Sequence, residues 1–242
     1  MSRFVLVTRH PDDCRELQEL VRPCGLVVRP FPVLRVEDAD DDQGWQAVLQ
    51  ALPASAAATA WVVLTSSRAP RRFAEQASRR QALHLLELPV AAVGPATAKA
   101  AEQVGLAVRL VGSGTGAELV AQLGELVNDP QTVVLPCGHH HRDELPDALA
   151  AAGHEVLAVE VYHMRATPAR ELPPLPPSLE AVVLTSPRAA RLYLEGVGGM
   201  PLPCAHWALG PTTRDAVSSL GINCRVPQRP DMQSLAEELC RT

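Results

Sequence analysis

Short apolar runs alternate with stretches of helical periodicity along nearly the whole chain. Near the start, the apolar run 4–7 is followed by apolar positions at helical spacing, Leu17, Leu20 and Val21, and then by a second run from Val27. Strands that are apolar throughout are typical of a parallel sheet covered on both faces. The pattern therefore predicts an α/β fold. Further strands are predicted at 61–64, 90–93, 107–111, 132–135, 156–161, 181–184, 205–209 and 222–226.

Much of the chain is repeated. VVLTSSRAPRRF at 62–73 returns as VVLTSPRAARLY at 182–193, and VAAVGPATAKAAEQVGLAVRLV at 90–111 is answered by CAHWALGPTTRDAVSSLGINCRVP at 204–227. Such repetition predicts two similar α/β domains, each with a parallel sheet flanked by helices. A site between two such modules is the first place to look for function.

Two segments interrupt the alternation and are interpreted as joints between the modules. One is RPFPVLRVEDADDDQG at 29–44, and the other is VEVYHMRATPARELPPLPP at 159–177. Prolines at this density cannot lie inside a helix or a central strand. The chain is therefore expected to cross between modules twice, so that residues 1–34 and 165–242 form one discontinuous domain and residues 36–163 form an inserted one.

Composition excludes several classes of protein. The chain is 47% hydrophobic and 20% charged, as in ordinary globular domains, and its formal net charge of −5 argues against nucleic acid as a partner. Its six cysteines have no zinc-type or CxxC spacing, so reduced thiols without a disulfide framework are expected. No apolar run reaches the length of a signal peptide or membrane span, so we expect a cytoplasmic protein that does not bind membranes.

Each TSxRA motif follows an apolar strand and opens a helix. The hydroxyl residues involved are Thr65, Ser66, Thr185 and Ser186. Free amides and the helix dipole at such a position favour a carboxylate or a phosphate. Serine and threonine are also ordinary helix caps, which is the alternative interpretation. Arginine at the same offset in both copies, Arg68 and Arg188, favours ligand binding.

The GPATA and GPTTR turns repeat this arrangement. Each has a glycine after a strand, Gly94 in the first copy, and a threonine at the helix start, Thr97 or Thr213. Glycine suits close approach of a ligand and proline suits the first helical turn, so binding and capping predict the same residues. A third glycine-rich stretch, VGSGTGAEL at 111–119, lacks the Lys-Ser/Thr ending of a Walker motif and is interpreted as a loop.

Three histidines, His139 to His141, follow a predicted strand in PCGHHHRDEL. Adjacent imidazoles cannot all reach one metal ion from regular structure, so a solvated loop is favoured over a two-ligand site with Cys137. Tyr162 lies at the second joint, and its phenol holds a proton at neutral pH, so it can act as a general acid. The alternative for Tyr162 is a packed aromatic. Tyr193 fits that alternative better, because Phe73 occupies its repeat position.

The order of these motifs resembles the uroporphyrinogen-III synthase family over essentially the whole chain. The resemblance rests on the opening VLVTR, the first TSxRA, VGPATA, the unit ending in VY, TSPRA and LGPTT. It implies two α/β domains joined by a two-stranded linker, the first being discontinuous. It also implies an enzyme, a cyclising hydro-lyase that closes hydroxymethylbilane, a linear tetrapyrrole, with inversion of its last pyrrole ring and loss of water to give uroporphyrinogen III. No cofactor or metal is implied.

The resemblance also assigns roles to residues. It implies Tyr162 as the catalytic acid, because Tyr162 matches the family's linker tyrosine. Where family members more often carry Gly and Arg, this chain has three histidines, and Arg142 is the residue that could retain a substrate contact there. The substrate-binding residues implied are Arg9, Thr65, Ser66, Arg68, Gly94, Thr97, Arg142, Thr185, Ser186, Arg188 and Thr213.

The sequence leaves other classes open. One is a non-catalytic two-domain regulatory protein that binds a tetrapyrrole or another polyanion on the same fold. A second is a metal-handling protein that uses His139 to His141, and a third is a phosphate-ligand sensor built on the helix starts. The expected enzyme is a monomer in tetrapyrrole (haem) biosynthesis, with a transient contact with the preceding pathway enzyme left open.

Overall fold

The structure is a computed structural model that describes residues 3–54, 60–127, 129–139 and 143–241. Its strands are β1 (Arg3–Val7), β2 (Leu26–Pro30), β3 (Leu34–Asp38), β4 (Ala60–Leu64), β5 (Val90–Ala92), β6 (Val108–Val111), β7 (Thr132–Gly138), β8 (Glu155–Ala166), β9 (Leu179–Leu184), β10 (Ala205–Ala208) and β11 (Cys224–Arg225). Its α-helices are α1 (Arg15–Val21), α2 (Asp42–Ala51), α3 (Ala69–Arg79), α4 (Pro95–Glu102), α5 (Gly116–Leu126), α6 (Glu144–Ala151), α7 (Pro187–Gly196), α8 (Pro211–Ser218) and α9 (Met232–Cys240). None of the helices within these ranges combines the length and the apolar character that a membrane span requires.

The chain divides into two compact units. Unit 1 comprises Met1–Arg35 and Arg165–Thr242, and unit 2 comprises Val36–Met164. The two boundaries fall inside β3 and β8, which are neighbouring strands of one sheet. The backbone thus passes from one unit to the other in extended conformation both times.

Unit 1 is built on a sheet with the order β11-β10-β9-β1-β2, in which each neighbouring pair is parallel. Successive side chains of a strand point to opposite faces. Accordingly, Val5 and Val7 of β1 pack with α1 and α9 on one face, whereas Leu6 packs with α7 and α8 on the other. Burial on both faces is why the central strands β1 and β9 have continuous apolar runs, at 5–7 and 181–184.

Unit 2 is built on a sheet with the order β3-β8-β7-β4-β5-β6, and the pairs from β8 to β6 are parallel. Helices α2, α3 and α4 cover one face through Trp45, Phe73 and Ala101. Helices α5 and α6 cover the other face through Leu123 and Leu149. The α/β fold class with helix-flanked parallel sheets, predicted from the sequence, is confirmed.

One strand was not among those predicted from apolar runs, and one local prediction was wrong. The first joint contains a strand, β3, because Leu34–Asp38 lies beside β8 and forms backbone hydrogen bonds with it. The local sequence does not indicate this pairing. The stretch 111–119 is not one loop, since α5 begins at Gly116. Thr115 caps this helix by accepting a hydrogen bond from the Glu118 amide at 3.4 Å, a threonine-to-glutamate spacing typical of a helix start.

The expectation of unpaired thiols was also wrong. Cys24, just after α1, and Cys240, at the end of α9, form a disulfide with their Cα atoms 5.6 Å apart. The two cysteines are 216 residues apart in sequence, so no short spacing motif could indicate the pair. Helices α1 and α9 pack on the same face of unit 1, and this packing brings the two cysteines together.

Candidate functional site

In each unit, successive strands are added toward one edge of the sheet and later toward the other edge, with one change of direction. In unit 1 the reversal lies between β1 and β9, and in unit 2 it lies between β4 and β7. Open parallel sheets bind ligands at the carboxyl ends of the strands that flank such a switch point. Both TSxRA motifs lie there, because TSPRA follows β9 and TSSRA follows β4.

At the switch point of unit 1, two threonines from different strands meet. Thr8, directly after β1, is 3% exposed, and its hydroxyl donates to the Val183 carbonyl at 3.1 Å. The Thr8 oxygen also accepts from the Thr185 amide at 3.3 Å. The Ser186 hydroxyl accepts from the Ala189 amide at 3.1 Å and so caps α7. Sequence reasoning missed Thr8, although its place at the end of VLVT was the available signal.

The first TSxRA copy, in unit 2, opens its helix later than the second. Helix α3 begins at Ala69, whereas α7 begins at Pro187, the residue that aligns with Ser67. Proline favours the first helical position, and only the second copy has one there. In the first copy the Ser66 hydroxyl accepts from the Arg68 amide at 3.2 Å instead of capping the helix. Thr65 is exposed and Arg68 is partly buried.

The backbone at each glycine-proline turn is hydrogen-bonded to the end of the strand that precedes TSxRA in the same unit. The Val93 amide donates to the Leu64 carbonyl at 2.9 Å in unit 2, and the Leu209 amide donates to the Leu184 carbonyl at 3.1 Å in unit 1. The sequence-predicted motifs are therefore brought together in pairs, one pair in each unit. Thr97 and Thr213 lie in the first turns of α4 and α8 and are 5% and 6% exposed.

Neither glycine of these turns is required by the fold. Gly94 and Gly210 have φ angles of −167° and −155°, which is extended backbone open to any residue. A Cβ atom at either position meets no described heavy atom closer than 3.6 Å. Backbone conformation and packing therefore do not account for glycine at these two positions.

Tyr162 lies on β8 with its ring against the backbone of Gly138, at the end of β7. A Cβ atom on Gly138 would stand 2.6 Å from Cε2 of the ring, so only glycine admits this position of the tyrosine. One side of the ring packs on the core of unit 2, and the phenol oxygen has no hydrogen-bond partner among the described residues. This arrangement leaves the hydroxyl available as a proton donor.

A buried glutamine fixes the strand at the residue before Tyr162. Gln76 of α3 is fully buried and donates to the carbonyls of Ala39 and Val161, each at 3.0 Å. Its oxygen accepts from Nε1 of Trp45 at 2.8 Å. A lone glutamine in a helix usually indicates a solvated face, so no local pattern indicated this network.

The other singled-out residues have diverse environments. Arg142, together with His140 and His141, lies outside the described residues. Arg9 is partly exposed after β1 and Arg188 is exposed on α7. Burial raises the pKa of Cys137 to about 12, and its thiol donates to the Val159 carbonyl at 3.6 Å.

The packed-aromatic interpretation of Tyr193 is confirmed. Tyr193 is fully buried, its hydroxyl accepts from the Leu202 amide at 3.1 Å, and it lies 3.0 Å from Nε2 of His206. Burial raises the pKa of Tyr193 to about 12.

These features define an α/β protein of two units, in each of which a parallel sheet ends at its switch point in hydroxyl-bearing residues and a glycine turn. A family model described as Uroporphyrinogen-III synthase HemD matches residues 15–237. The chain therefore belongs to the uroporphyrinogen-III synthase family. Its role is that of a cyclising lyase in tetrapyrrole biosynthesis.

Solved structures share the fold. Uroporphyrinogen-III synthetase from Helicobacter pylori is similar with a TM-score of 0.67 at 16% identity, over 100% of this chain and 99% of that one. A mutant uroporphyrinogen III synthase from the extremely thermophilic bacterium Thermus thermophilus gives 0.56 at 19% identity, over 99% and 98%. No curated protein sequence matches the chain significantly.

Proposed function

We propose that the chain closes hydroxymethylbilane to uroporphyrinogen III, that the two strand-end clusters hold the substrate carboxylates, and that Tyr162 supplies the proton for the leaving hydroxyl. The observation that carries the proposal is the pairing of a TSxRA strand end with a glycine turn at the switch point of each unit. Family membership supplies the reaction class.

The strand-end clusters suit a polycarboxylate. Amides at the starts of α3 and α7 and the hydroxyls of Thr65 and Thr185 can donate to carboxylate oxygens, and the helix dipoles favour negative charge there. Arg68 and Arg188 add guanidinium donors that can bind a carboxylate in bidentate fashion. The positive charge that binds the carboxylates is local to these clusters, so the net negative charge of the chain is compatible with an anionic substrate.

The reaction needs one proton transfer and a fixed geometry. The C–O bond of the hydroxymethyl group breaks as the pyrrole nitrogen pushes electron density toward it, and the Tyr162 phenol donates the proton that lets the hydroxyl leave as water. The resulting carbon electrophile is attacked by the substituted carbon of the last ring, which gives a spiro intermediate. The older bond from that carbon to its methylene bridge then breaks, and the freed bridge carbon is attacked by the unsubstituted α carbon of the same ring, so that the ring is inverted and the α carbon has a proton to lose. The phenolate recovers its proton from the substrate when the pyrrole system is restored. Holding the chain folded for this attack is the larger contribution.

The product isomer tests the reaction. Supplied with hydroxymethylbilane, the folded protein is expected to give uroporphyrinogen III, resolved by chromatography from the type I isomer that forms spontaneously. A sample that is folded by circular dichroism and yields only type I overturns the proposal. The alternative, a non-catalytic regulatory protein that binds a tetrapyrrole or another polyanion, is distinguished by saturable binding without type III product.

Replacement of Tyr162 by phenylalanine tests the acid. Tyr162→Phe keeps the ring against Gly138 and removes only the donor, so we expect kcat to fall about 100-fold or more with little change in KM. The matched control is Tyr193→Phe, which removes a buried hydroxyl from unit 1 and is expected to lower stability while the folded fraction keeps its kcat. Wild-type kcat in Tyr162→Phe makes Tyr162 a structural residue.

We further propose a cytoplasmic monomer that needs no cofactor and whose partner is the linear tetrapyrrole rather than nucleic acid or membrane. Light scattering in solution tests the monomer, and full activity after dialysis against a chelator tests the absence of a required metal.

A further inference from the structure

Three metal-ligating side chains converge beside the end of β7. His139 follows β7, and Glu160 and His163 belong to β8. One ligand atom from each lies within 4.8 Å of the other two. Nδ1 of His139 is 3.0 Å from Oε2 of Glu160, and the rings of His139 and His163 have centroids 5.1 Å apart.

A bulge in β8 creates this convergence. In a regular strand, residues three apart point to opposite faces of the sheet. Here Cys137 pairs with Glu160 but the next residue, Gly138, pairs with Tyr162, so β8 carries one extra residue at this point. The extra residue resets the alternation, and Glu160 and His163 come to the same side. The ligand set is therefore fixed by the backbone of two paired strands.

One nitrogen of the His163 ring has no hydrogen-bond partner among the described protein atoms. Its Nδ1 atom is buried and makes no hydrogen bond within the described part of the chain. Buried polar atoms are nearly always satisfied, so this ring nitrogen needs a partner other than the described protein atoms, such as water or a metal ion. An imidazole nitrogen is also the commonest protein ligand for a transition metal.

We propose that His139, Glu160 and His163 bind one divalent transition metal ion of the Zn²⁺ type, with a further coordination position open to water. Two imidazoles and one carboxylate are a donor set that Zn²⁺ takes in three-ligand sites. Ligands at about 2.0–2.2 Å from one ion are about 3.4 Å apart in tetrahedral geometry. The side chain of His139 is 53% exposed, so it can rotate to adjust its distances to the other two ligands. None of these three ligands has a role in the cyclase activity proposed above.

The direct test is a Zn²⁺ titration of chelator-stripped protein by calorimetry. We expect one ion per chain, and we expect Glu160→Gln, His139→Gln and His163→Gln each to weaken the apparent affinity about tenfold or more. Thermal unfolding in chelator shows that each variant is folded. Glu160→Gln preserves side-chain shape and carries the test if a histidine variant fails to fold. The visible spectrum of the Co²⁺-loaded protein gives a second readout that the same replacements are expected to change.

Two controls separate this site from incidental histidine binding. His10 is also a half-exposed histidine beside a carboxylate, with Nδ1 3.4 Å from Asp12, so His10→Gln is expected to leave Zn²⁺ affinity unchanged. The double replacement of His140 and His141 by glutamine is likewise expected to preserve binding. Absence of binding in the wild type, wild-type affinity in both Glu160→Gln and His163→Gln, or loss of binding only in the double variant overturns the proposal.

Discussion

The buried Gln76 network makes the sharpest stability prediction. Gln76→Met keeps the length of the side chain and deletes its amide. Trp45 Nε1 then loses its acceptor and the Ala39 carbonyl loses the donor at 3.0 Å, whereas the Val161 carbonyl still accepts from the Ala39 amide at 3.2 Å. The substitution therefore leaves two buried polar groups, rather than three, without a hydrogen-bond partner.

The expected cost follows from that count. A buried donor or acceptor left unpaired costs about 1–3 kcal/mol, so two such groups cost about 2–6 kcal/mol. Part of this free-energy cost is offset, because the methionine side chain has no polar amide to bury. We predict a net loss of about 3 kcal/mol in the free energy of unfolding, measured by urea denaturation and read from tryptophan fluorescence.

The control for this prediction is Gln103→Met. Gln103 is exposed at the end of α4, and a surface substitution of this kind is expected to change stability by less than about 0.5 kcal/mol. Equal stability of Gln76→Met and the wild type would contradict the hydrogen bonds assigned to Gln76. Because Val161 precedes Tyr162, the Gln76 variant is also expected to lower kcat in its folded fraction.

Two further predictions concern glycine and cysteine. Gly138→Ala puts a methyl group 2.6 Å from the Tyr162 ring and is expected to lower kcat about 10- to 100-fold. The control is Gly124→Ala, at an exposed helical position with nothing within 4 Å, which is expected to preserve kcat. Wild-type kcat in Gly138→Ala would contradict the assigned ring position. Cys24→Ser is expected to destabilise oxidised protein by about 2–4 kcal/mol, because the Cys24–Cys240 bond ties together the two chain segments of unit 1. Reductant should lower the wild type by the same amount and leave Cys24→Ser unchanged; a wild type insensitive to reductant would argue against the bond.

The sequence predicted most strands because their burial is continuous. A strand such as β4, with Val62 to Leu64 fully buried, has to be apolar at each of these positions, and that run is visible without any knowledge of its neighbours. No apolar run indicated the strand β3, because its residues are at most partly buried and its pairing with β8 depends on tertiary structure.

The candidate site was predicted in part. The TSxRA and glycine-proline motifs were visible because both are local and both occur twice. Thr8 and Gln76 were not singled out, since a threonine and a glutamine are ordinary residues until strands 175 and 85 residues away supply their partners.

The α/β class, the duplicated motifs and the family follow from the amino-acid sequence alone, because they depend on local burial patterns and on the order of motifs along the chain. Which residues meet depends on tertiary structure. It brings both TSxRA motifs to switch points, pairs Cys24 with Cys240, and turns Glu160 and His163 to one side through a bulge. Strand order and register are set by long-range hydrogen bonds and packing, which leave no local trace in the sequence.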